Sequence, residues 1–160
     1  MARLIILAGM ALLVWCQLGF AGNTATQTVT FEVQAINEIS VSGNPGNLVV
    51  STATAGSEPD AATDNSTSYS ITTNQSSKKI TGAIDLAMPA NTTLQINLTA
   101  PTGGSSAGNV TITTTAADLV TGIATVAESG LTITYTFSAT VDAGVVASDS
   151  RTITLTLTDI

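Results

Sequence analysis

From Gln27 onward the apolar residues of this chain recur at every second position in short runs broken by turn signals, and nowhere over a useful length at helical spacing. "QTVTFEVQAI" puts Val29, Phe31, Val33 and Ala35 on one side, and the alternation breaks at Ile36-Asn37-Glu38-Ile39, where a bulge or a change of sheet near Asn37 is expected. "GNPGN" (43–47) is a turn, with a strand starting at Leu48–Val50. Further strands are expected around Tyr69 and Ile71; at 78–88 with Ile80, Gly82, Ile84 and Leu86 inward; at 93–100 with Leu94, Ile96 and Leu98 inward; and at Val110–Thr114.

The two clearest strands close the chain. "GLTITYTFSATV" (130–141) places Leu131, Ile133, Tyr135, Phe137, Ala139 and Val141 opposite a row of Thr and Ser, and "RTITLTLTD" places Ile153, Leu155 and Leu157 opposite Thr. Two stretches are expected as loops, the acidic segment 52–67 and the Gly/Ser-rich segment 101–109. Residues 116–130 fit a helical turn followed by a strand, because Leu119, Val120, Ile123 and Val126 are spaced for it. About eight or nine strands joined by short turns predict an all-β domain, an antiparallel β-sandwich of immunoglobulin-like or fimbrial type, with a β-barrel as the alternative.

The first residues change the picture from a bare fold to a compartment. Arg3, the apolar run from Leu4 to about Trp15 and the small residues before a cut after Ala21 describe a secretory signal peptide over 1–21, followed by one sandwich domain over 22–160. Cys16 is the rival, a lipid acceptor, but Trp15 stands where a lipobox wants a small residue. Once the leader is removed the chain has no Cys, no Trp and no His, and Lys78, Lys79 and Arg151 face eleven acids, an excess of eight negative charges. Such a balance disfavours nucleic acid as a partner. No second apolar run follows that is long enough to span a membrane, so the expected location is extracellular or at the cell surface, reached through the periplasm in a Gram-negative cell.

Candidate chemistry is sparse. Nucleophilic catalysis of the Ser-His-Asp or Cys-His kind has no imidazole and no thiol, and zinc lacks its usual ligands, so the expectation is a protein that is not an enzyme. Ser76 and Ser77 beside Lys78 lack Ser-x-x-Lys spacing and read as a polar turn. Paired carboxylates for glycoside hydrolysis lack aromatic platforms. Calcium is the one cofactor that the residue types allow, with Glu58, Asp60, Asp64 and Asn65 as oxygen donors in a single loop whose spacing is not that of an EF-hand. Asn-x-Ser/Thr triplets at Asn65, Asn74, Asn91, Asn97 and Asn109 are common by chance in so Ser- and Thr-rich a chain. A Thr-covered sheet as an ice-binding plane would need a fixed repeat, which is absent.

The signal peptide, the Thr-rich alternating strands and the scarcity of aromatics together resemble bacterial fimbrial subunits and other small cell-surface sandwiches; the Trp signature of WxL-type domains is missing. The resemblance implies a structural subunit of a fibre, pilus or coat that associates with itself or with other surface proteins. In that reading Val29, Phe31 and Val33 belong to an N-terminal strand lent to a neighbour, and otherwise to the first strand of the protein's own sandwich. The alternative function is a ligand-binding module, for carbohydrate or calcium, built on loops 52–67 and 101–109.

Overall fold

The computed structural model describes residues 22–160. The expected signal peptide, with Arg3, Trp15 and Cys16, lies outside the described residues. The chain divides into two units, Met1–Val33 and Gln34–Ile160. The second is a β-sandwich of two antiparallel sheets. Its strands are β1 (Asn37–Val41), β2 (Ala62–Thr73), β3 (Lys78–Ile84), β4 (Thr92–Leu98), β5 (Ser105–Ser106), β6 (Val110–Thr111), β7 (Ala117–Ile123), β8 (Val126–Ala139) and β9 (Ile153–Asp159), with one 3-10 turn at Val141–Ala143. One sheet has the order β1-β2-β8-β4-β6 and the other β5-β7-β3-β9. Among the described residues no helix is long and apolar enough to cross a membrane.

The period-two pattern is what builds the core. Tyr69, Ile71, Leu94, Ile96, Leu98, Ile133 and Tyr135 of the five-stranded sheet meet Ile80, Ile84, Leu119, Val120 and Ile123 of the four-stranded sheet, with Ile112 between neighbouring strands' ends. In β3, β4 and the middle of β8 buried residues alternate with more exposed ones. The Thr side of β8 turns outward, where Thr136 meets Thr63 across to β2 (Oγ1···Oγ1 3.4 Å) and pairs in register with Gln95 of β4. It is the wet face of a central strand.

Several expectations are corrected. Residues 24–36 carry no strand, and the first one begins at Asn37, where the alternation was expected to break. Leu48–Val50 is not a strand either: Leu48 packs on the core but Val49 is exposed. The loop expected over 52–67 ends early, because residues from Ala62 onward pair with β8. A register shift between Asp64 and Thr67 disrupts the alternation there, which hides the strand in the sequence. The helical turn expected near Leu119 is instead strand β7, joined to β8 by Ala124-Thr125. Shifts in the β3–β7 register bring the adjacent residues Leu119 and Val120 both inside, which imitates helical spacing. Leu86 and Val141, expected inward, are exposed.

Candidate functional site

Residues 22–33, taken by themselves, are an exposed segment without secondary structure beyond a bend at Asn23. Val29, Phe31 and Val33 are 72%, 89% and 80% exposed. Three large β-forming side chains in alternation and open to water make an exposed apolar row, distinct from singly scattered apolar residues.

The residues that follow are held firmly. The Asn74 carboxamide behaves like a peptide group toward the chain entering β1: its Oδ1 accepts the Ile36 N–H (2.9 Å), its Nδ2 donates to the Gln34 carbonyl (2.8 Å), and its own N–H donates to the Ile36 carbonyl (3.3 Å). Asn37 extends this clamp, donating to Gln75 Oε1 (2.8 Å) and accepting from the buried Thr73 hydroxyl (2.8 Å). The turn between β2 and β3 thus fixes residues 34–37. In the sequence Asn74 stands only within one of five Asn-x-Ser/Thr triplets, and nothing in its local pattern gives away this contact with a segment so far away along the chain.

The sheet order leaves four edge strands: β1, β6, β5 and β9. β5 and β6 have two residues each, too short to offer a ladder, and β1 has five, including Glu38. β9 has seven, paired to β3 without a register shift from Ile84↔Ile153 to Lys78↔Asp159. The bonds Asp85 N–H to Thr152 O and Ile160 N–H to Ser77 O, both 3.1 Å, fix which residues face β3. By antiparallel alternation, Thr154, Thr156 and Thr158 direct their main-chain groups to β3, while those of Ile153, Leu155, Leu157 and Asp159 point to the open side.

The acidic residues expected as oxygen donors are spread over separate hydrogen bonds. The Glu58 carboxylate accepts the Val141 N–H (2.7 Å), Asp60 accepts the Thr52 hydroxyl (3.0 Å), and Asp64 accepts the Ser66 hydroxyl and N–H (2.8 and 3.1 Å). The Ser66 hydroxyl and amide hold the Asp64 carboxyl below its ordinary range. Asn65 is exposed on β2. Among the described residues, no three His, Cys, Asp or Glu side chains gather in one place, and Glu58, Asp60 and Asp64 serve three separate local contacts. The cations are engaged too: Lys78 with Asp159, Lys79 with Asp118 (2.9 Å) and Arg151 with Asp149 (2.7 Å).

Two shallow concavities are small. One of about 150 Å³ is lined by Met88, Leu94 and Ile112, and one of about 220 Å³ lies over Ile39 and Ile71, both below the roughly 300 Å³ at which small-ligand sites begin. Comparison with known proteins finds no family model, no curated protein and no solved structure that the chain matches.

Proposed function

We propose that this chain is an exported structural subunit of a surface fibre or coat that assembles through β-strand pairing of its N-terminal segment. The observation that carries the reading is the exposed alternation of Val29, Phe31 and Val33 outside the strands of the sandwich. A segment with strand chemistry and no strand partner gains its ladder from another chain. The leader read at residues 1–21 supports export, and a chain without His, whose one Cys lies in that leader, suits a structural part better than a catalytic one.

The test is deletion of Gly22–Val33, which leaves the Asn74 clamp intact. Sedimentation and electron microscopy of the secreted full-length chain are expected to give multimers or filaments. The shortened chain is expected to remain a folded monomer with an unshifted cooperative melt. A full-length chain that stays monomeric at high concentration, or a deletion that assembles as well as the full chain, refutes the proposal.

A further inference from the structure

We infer that the open edge of β9 in a second copy of this chain is the receiver of the N-terminal segment, which enters as a strand beside Ile153–Asp159. The inference rests on the assembly reading above and adds where the donated segment binds.

Three observations converge on this edge. It is the longest of the four edges, and its unbroken register with β3 keeps it straight enough to template another strand. It has no Pro and no bulge, and its one charged residue, Asp159 at the strand's end, is taken up by Lys78. Its inward residues Ile153, Leu155 and Leu157 pack against the core yet remain partly exposed, so an added strand with Val29, Phe31 and Val33 on the same side would extend that apolar row.

The alternation also fixes how the contact can be trapped. Thr154, Thr156 and Thr158 turn their main-chain groups toward β3, so each would form a non-hydrogen-bonded pair with the incoming strand, the closer of the two pair types. Thr156 is exposed on the outer face, and Thr28 and Thr30 lie on the polar side of the donor. Cysteines at such positions come within disulfide reach without disturbing the core. The processed chain offers no thiol of its own to interfere.

The experiment mixes chains carrying Thr30→Cys or Thr28→Cys with chains carrying Thr156→Cys or Thr158→Cys under mild oxidation. Ser40→Cys on the outer face of β1 is the comparison. The expected result is mixed disulfide dimers with the β9 cysteines in at least fivefold excess over those with Ser40→Cys, and loss of these dimers when unlabelled full-length chain competes. Preferential trapping at Ser40→Cys, or no trapping at β9 while the full chain still assembles and the Gly22–Val33 deletion does not, overturns β9 as the receiver and leaves the assembly reading standing. Failure of the full chain to assemble at all overturns both.

Discussion

Gly82 is an inward position of β3 at which the core leaves no room for a side chain. A Cβ there would stand 2.7 Å from Leu119 Cδ1, 3.1 Å from Ile112 Cδ1 and 3.4 Å from Leu155 Cδ2, against an ordinary carbon contact of about 3.5–4.0 Å. Leu119 and Ile112 are each only 1% exposed, so neither can retreat into water. Gly82→Ala therefore overpacks the core, at a cost of about 1–3 kcal/mol. Against this stands a gain of about 0.4–1 kcal/mol from the stiffer unfolded chain. The net expectation is a loss of about 1–2 kcal/mol, or roughly 3–8 °C in Tm for a domain of this size. Thermal melting with urea unfolding as a check should give a lower midpoint at unchanged slope. Leu119→Val in the Gly82→Ala background removes the offending methyl group and should make the double variant more stable than the sum of its singles predicts. A Gly82→Ala protein as stable as the parent, or more so, would refute the packing argument.

Tyr69, fully buried, donates from its phenol to the Thr99 carbonyl at 2.6 Å, and burial, helped by the Glu128 charge, pushes its pKa up to about 12. A raised value means that the neutral phenol stabilises the fold fully below the unfolded pKa of about 10 and that this contribution is lost as pH rises through about 12, on the order of 2 kcal/mol. Tyr69→Phe should lose about 1 kcal/mol at pH 7 and flatten this alkaline decline, leaving the part due to Tyr135, which burial also raises; an unchanged decline in urea midpoint from pH 9 to 12 would contradict it. Lys78 is a buried cation, 7% exposed, and its ammonium is held by the exposed carboxylate of Asp159. Asp159→Asn should cost about 1–3 kcal/mol by leaving that charge without its partner, whereas Lys78→Met should be near neutral. The reverse order in denaturant midpoints would refute this account of the pair.

The sandwich was legible wherever one face of a strand is buried and the other wet, as in β3, β4, β9 and the centre of β8. It was illegible where the ladder slips. The shift between Asp64 and Thr67 hid the start of β2, and the shifts opposite Ile80 turned β7 into an apparent helix. The N-terminal segment shows a different limit. Its alternation reads as a strand, yet residues 24–36 carry none, because alternation states only that one face wants cover, not that a neighbouring strand is there to provide it. The β9 edge escaped notice because edge status is a property of sheet order, and "ITLTLTD" reads the same in the middle of a sheet as at its rim.

In the proposed assembly, energetics separates the giving part from the receiving part. The core and the partly buried residues packed against it begin at Ile39, and none of residues 22–33 belongs to it. β9 is different: Ile153, Leu155 and Leu157 pack on that core, and its register with β3 is continuous. Covering Val29, Phe31 and Val33 would contribute about 1.5–3 kcal/mol each. Ordering some nine residues of backbone costs about 1–2 kcal/mol per residue, which exceeds that sum. Apolar cover alone therefore cannot hold the segment in place, and a pocket for Phe31 would not suffice. The remainder has to come from main-chain pairing, at roughly 1 kcal/mol per bond, together with favourable cross-strand contacts. A long, regular edge supplies both, whereas the two-residue edges β5 and β6 can supply neither.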